Sequence, residues 1–132
     1  MEIMQADKPK KDASAVLAGH NTISLESYKK SGEPKQTPVW FIFENGLIYF
    51  KTSPKSWKAK RLRRNSSVRV APSTFSGKIL GDWLKGTASL VEGDTKRINK
   101  AINSKQGIQG RIISLVEGER VVYSIKIDSS ST

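Results

Sequence analysis

The chain has 132 residues, enough for one domain and too few for two independent cores. It carries 23 basic against 12 acidic residues, a formal net charge of +11, which points to an anionic partner. There is no Cys and a single His, His20, so disulfide frameworks, thiolate zinc sites, cysteine nucleophiles and histidine-based clusters or triads lack the residues to build them.

Residues 1–11 are polar, with Pro9 among lysines, and read as a flexible segment ahead of a single domain over 12–128; residues 129–132 read as a flexible tail. Met1 to Asp12 has no apolar stretch of the signal-peptide kind, and the longest apolar run, Val39 to Phe43, is too short to span a bilayer. The expected location is the cytoplasm, with no membrane partner. Asp12 or Ser14 can cap a short helix through Leu17, which Gly19 would stop. Asn21 to Lys29 alternates as a strand, with Ile23, Leu25 and Ser27 on one face and Thr22, Ser24, Glu26 and Tyr28 on the other. A turn at Ser31 to Pro34 leads into Lys35 to Glu44, read as one strand rich in aromatic and β-branched residues. Asn45-Gly46 marks a two-residue hairpin, since a type I′ turn needs positive φ at both central positions. Leu47 to Thr52 is the returning strand.

Ser56 can cap a helix to about Asn65. Val68 to Ala71 is a short strand ended by Pro72, Ser73 to Gly81 a loop or hairpin, and Asp82 to Val91 a further strand. A helix from Gly93-Asp94 to about Asn103 puts Ile98, Ala101 and Ile102 on one face. Ile112, Ile113, Leu115 and Val116 suit a helix face or a strand, and periodicity alone does not choose. Arg120 to Asp128 is the closing strand. The expected fold is mainly β with short helices: about six hairpin-linked antiparallel strands, whose closure into a small barrel would remove exposed edges.

Charge is concentrated. Between Lys51 and Arg64 there are seven basic residues and no acid, about two-thirds of the net charge in 14 positions. The hydroxyls of Thr52, Ser53 and Ser56, the amides of a helix start and Lys58 together suit an anion. The plain alternative is a solvated basic helix face. Trp40 and Phe41 read as core, whereas Trp57 suits stacking on a ring or an interface. His20 has no evident catalytic partner, and Glu26, Glu33 and Glu44 are too dispersed for a paired-carboxylate site. No catalytic acid or base is assigned, and no metal site; any difficult chemistry would come from a cofactor.

The succession Asn21-Thr22-Ile23-Ser24-Leu25-Glu26-Ser27-Tyr28, Thr37-Pro38-Val39-Trp40-Phe41, Lys58-Ala59-Lys60-Arg61-Leu62-Arg63-Arg64-Asn65, Val68-Arg69-Val70-Ala71-Pro72 and Gly81-Asp82-Trp83-Leu84 resembles the pyridoxamine 5′-phosphate oxidase-like superfamily. Within it the chain is most similar to the coenzyme F420-dependent flavin/deazaflavin oxidoreductases, over roughly residues 14–127. The resemblance implies a split β-barrel of the FMN-binding type that forms a homodimer with cofactor clefts at the interface. It implies that Gln36, Thr37, Pro38, Val39 and Trp40 lie along the cofactor's ring system. Thr52, Ser53, Ser56, Trp57 and Lys58, with Arg61 one turn on, would hold its phosphate. Trp57 stands where the flavin-phosphate oxidases have an Arg, and Gln36 and Thr37 where they have basic residues. These departures weaken the case for FMN bound in the oxidase way and leave room for coenzyme F420, which is the cofactor expected, with FMN as the alternative. The implied activity is hydride transfer to a small-molecule substrate. Heme binding in the same fold, a cofactor carrier without turnover, and a nucleic-acid binder using the 51–64 segment are the rival readings. From its charge alone the chain is expected to bind nucleic acid at most weakly and without sequence preference.

Overall fold

Hairpin turns and two-residue periodicity bring seven strands into one antiparallel sheet. The computed structural model describes residues 12–116 and 118–128, so the expected flexible segments 1–11 and 129–132 lie outside the described residues. The elements are α1 (Ala13–Leu17), β1 (Thr22–Tyr28), β2 (Pro34–Trp40), β3 (Ile42–Glu44), β4 (Leu47–Thr52), α2 (Trp57–Arg64), β5 (Ser67–Pro72), β6 (Leu84–Leu90), α3 (Thr95–Lys105), α4 (Ile108–Val116) and β7 (Val121–Ile127). Asp12 caps α1 by accepting the Ser14 amide at 3.0 Å. Asn45 and Gly46 both take positive φ, 54° and 79°, and join β3 to β4 through the expected two-residue turn.

The sheet runs β2-β1-β5-β6-β7-β4-β3. Its outermost strands, β2 and β3, are separated in the chain by one residue, Phe41. A flat sheet of seven strands cannot satisfy that connection, because neighbouring strands are about 4.8 Å apart. The sheet therefore curls until its two edges meet, which is the split barrel expected from sequence. The strand expected over Lys35–Glu44 is thus two strands, and the count is seven rather than six. The break has a physical cause: the Phe41 side chain is driven into the core at 1% exposure. Its amide continues the β1–β2 register onto the Asn21 carbonyl at 3.3 Å, and its carbonyl accepts from Lys105 Nζ at 3.0 Å.

Inside the curl, Ile23, Leu25, Phe41, Ile48, Phe50, Val70, Leu84 and Ile125 form the main core. Phe50 stacks on Tyr123 at 5.6 Å. A smaller cluster of Ile42, Ile98, Ile102 and Val122 seats α3 on the outer face. β1 departs from simple alternation: Thr22 through Ser27 are all buried, because the strand is covered on both faces. Residues 108–116, left open by periodicity, are helical. Among the described residues no helix is long and apolar enough to cross a membrane, and no group of His, Asp or Glu could hold a metal ion.

Candidate functional site

Ser56 organises the start of α2. Its amide donates to the Ser53 carbonyl at 3.1 Å, its Oγ accepts the Ala59 amide at 3.1 Å, and Thr52 Oγ1 lies 2.9 Å from that Oγ. This cap aims the helix so that Ala59 and Leu62 enter the core. Lys58 is left facing the seam where β2 passes the end of β4, and there a cleft of about 360 Å³ opens. Pro38, Val39 and Trp40 form one wall. Thr52, Ser53, Ser56 and Lys58 form the other.

Lys58 is half-buried. Burial pulls its ammonium below the ordinary lysine range, and the positive charges of Arg61 and Arg120 push the same way. No acidic residue lines the cleft, and no carboxylate among the described residues pairs with Lys58. An anion entering here would relieve both the lost hydration and the crowding of like charges. The rings of Trp40 and Phe75 lie 6.3 Å apart, tilted by 50°, and give the cleft an apolar side. Beyond them a second cleft of about 640 Å³ shares Trp40, Phe75 and Ile113 with the first. His20 and Gln106 line this larger space, as does Ser73, whose buried Oγ has no hydrogen-bond partner.

Of the residues expected at the site, Pro38, Val39, Trp40, Thr52, Ser53, Ser56 and Lys58 meet in one cleft. Gln36, Thr37, Trp57 and Arg61 do not line it. Gln36 Nε2 donates to Glu26 Oε1 at 3.0 Å, and Thr37 pairs with Leu25 in the β1–β2 register. Trp57 and Arg61 face a separate recess, with Arg61 Nε on Ser27 Oγ at 2.7 Å. Successive helix residues point about 100° apart, so Trp57 and Lys58 cannot share one side of α2, while Trp57 and Arg61, four apart, can. Lys51, Phe75, Ile113 and Arg120 line the cleft and were not expected there. Lys51 belongs to the basic run and could have been included. Phe75, Ile113 and Arg120 carry no local signal, because a loop, a helix and a strand start bring them in from later in the chain.

Glu26 is a second feature missed in the sequence. It is buried in β1 and accepts from Arg69 Nε at 2.8 Å, Arg69 Nη2 at 3.1 Å, Gln36 Nε2 at 3.0 Å and Tyr28 Oη at 2.9 Å. The Arg69 hydrogen bond, more than any other contact, pulls its carboxyl from 4.5 down to about 2 against the cost of burial.

A curled antiparallel sheet whose outer strands meet at a seam defines a split β-barrel protein. The family model for pyridoxamine 5′-phosphate oxidase matches residues 9–129, and the chain belongs to that family. A search of curated proteins by sequence returns no match. Solved structures share the fold. A candidate pyridoxamine 5′-phosphate oxidase from Listeria innocua is 26% identical with a TM-score of 0.65, over 86% of this chain and 89% of that one. A protein described as an F420 reductase is 13% identical with a TM-score of 0.63, over 91% and 96%. HutZ, the heme storage protein from Vibrio cholerae, is 14% identical with a TM-score of 0.66, over 87% of each chain.

Proposed function

We propose that this protein binds a flavin-type cofactor in the seam cleft, coenzyme F420 first and FMN as the alternative, and acts as an oxidoreductase on a small-molecule substrate. The observation that carries the reading is Lys58: a half-buried ammonium without a carboxylate partner among the described residues, set beside a capped helix start and an apolar ring wall. Lys58 would take the phosphate or phosphodiester as a point charge. Thr52 and Ser53 would add hydroxyl contacts, and Trp40 with Val39 would fix the ring plane. When bound, the deazaflavin or flavin supplies hydride transfer, which no side chain here can do. The chain's own part is to bind, orient and exclude water, and the larger adjoining cleft offers room for substrate next to Trp40 and Phe75. We further propose a homodimer, in which the second copy closes the open side of the cleft. The family membership and the F420 reductase of like fold support this reading.

Heme storage is the second reading. His20, the only histidine in the sequence, lines the larger cleft and is of the residue type that ligates heme iron. The absorbance spectrum of the purified protein, followed by titration with coenzyme F420, FMN and heme, separates the cases. The expected result is tightest binding of F420. A strong Soret band that is lost in His20→Ala, with no F420 or FMN binding, would replace the oxidoreductase reading by the storage one.

A further inference from the structure

The cofactor reading leaves Trp57 unexplained. It is the first residue of α2 and is 73% exposed, the second most exposed large hydrophobic side chain among the described residues. Leaving an indole in water forgoes the burial that normally places aromatics in a core. The ring is not idle: Lys60 Nζ lies 4.5 Å above its centre. Trp57 edges a recess of about 550 Å³ on the side of α2 away from Lys58. Lys29, Lys30 and Lys35 of the β1–β2 hairpin line it, and Arg61 and Arg64 of α2 face them. Among the described residues only one acid touches these cations, the exposed Glu33, 3.4 Å from both Lys29 and Lys35. Arg61 and Arg64 stand close enough to repel.

We propose that this recess is a binding site for single-stranded nucleic acid, with a base stacked on Trp57 and the flanking phosphates held by the lysines and arginines around it. The site is separate from the seam cleft and does not depend on what fills it. An accessible indole amid cations combines the two contacts that sequence-tolerant single-strand binding uses. A duplex cannot use the ring in this way, because its bases are already stacked on one another. An anionic membrane fits less well. The other large exposed apolar residues, Phe75, Leu80, Leu90, Ile108 and Ile112, do not line the recess, and Leu62 of α2 is buried in the core. A second copy of the same face is opposed by its own charge.

Fluorescence anisotropy on the full chain tests the site, with a labelled oligothymidylate of about 16 nucleotides, a duplex of equal length, and heparin as a polyanion without stackable bases. In about 50 mM salt, binding of the single strand should weaken steeply as salt is raised. Trp57→Ala should weaken single-strand binding roughly 5- to 100-fold, the equivalent of one lost stacked base. Binding of duplex and heparin should change less than about twofold, since phosphate contacts carry both. Trp57→Phe, which keeps a stackable ring, should retain most of the affinity. Lys60→Ala and Arg64→Ala should weaken all three ligands and lower the salt slope. Unchanged single-strand affinity in Trp57→Ala, or an equal loss for heparin, overturns the proposal. So does preferential capture by phosphatidylserine vesicles in competition with the oligonucleotide.

Discussion

Replacing Lys58 by Met keeps an unbranched stem of similar size and removes the ammonium. Losing one charged hydrogen bond costs roughly 1.5–3 kcal/mol, so cofactor binding should weaken about ten- to a hundred-fold. Thermal stability should hold or rise. A lysine whose folded pKa is depressed opposes folding while it is charged, so its removal takes away a cost. Fluorescence titration and a melting curve on the same samples check both halves. Arg61→Ala should lose less affinity, and Arg64→Ala almost none, because both lie in the other recess. Equal small losses for all three would mean the basic run acts only as a diffuse field.

Glu26 gives the opposite sign. Its folded pKa of about 2 lies below its ordinary 4.5, so the stability it contributes is complete above pH 4.5 and is lost as pH falls through 2. The contribution is roughly 3 kcal/mol. Glu26→Gln should therefore destabilise the protein at neutral pH and flatten the acid limb of a stability–pH curve measured by urea unfolding. Parallel acid limbs for variant and parent would show that Glu26 is not what acid attacks.

At the scale of elements, the α3–α4 corner depends on an absent side chain. Gly110 is buried, and a Cβ there would overlap the backbone carbonyl of Asn103 on α3. Gly110→Ala should push α4 away and displace Ile113 from the wall that both clefts share. Overpacking of this kind costs roughly 1–3 kcal/mol. Melting temperature and cofactor affinity should fall together. Gly118→Ala, where a Cβ would meet nothing within 4 Å, is the matched control and should change neither.

For the whole molecule, three of the six large apolar side chains left exposed among the described residues frame the larger cleft. Phe75, Leu80 and Ile112 are 63%, 46% and 56% exposed, and all three line it. Such a patch beside a binding cleft suits coverage by a second chain. Sedimentation at micromolar concentration should give twice the chain mass. Leu80→Asp should shift the species toward monomer and weaken cofactor binding with it. A clean monomer of the parent protein that still binds cofactor tightly would remove the dimer from the proposal.

Most elements were legible because their causes are local. Asn45-Gly46 is a pair that tolerates positive φ at both turn positions, Ser56 caps α2 from the position expected, and the 51–64 charge run needs no tertiary context to be seen. The half of the cleft that carries the hydroxyls and the lysine, Thr52 to Lys58, is likewise one continuous segment. What only the tertiary structure decided depends on distant parts of the chain. Nothing within Lys35–Glu44 says that Phe41 turns inward; the pull comes from a core built by β1, β4 and β7, and from Asn21 and Lys105 taking up its backbone groups. That one inward turn places β2 and β3 on opposite edges and curls the sheet, and so makes the seam in which the cleft lies. The separation of Trp57 from Lys58 is a matter of helix phase, which a run of basic residues conceals. The burial of Glu26 follows from cover on both faces of β1, which alternation within a single strand cannot reveal, because the covering residues come from elsewhere in the fold.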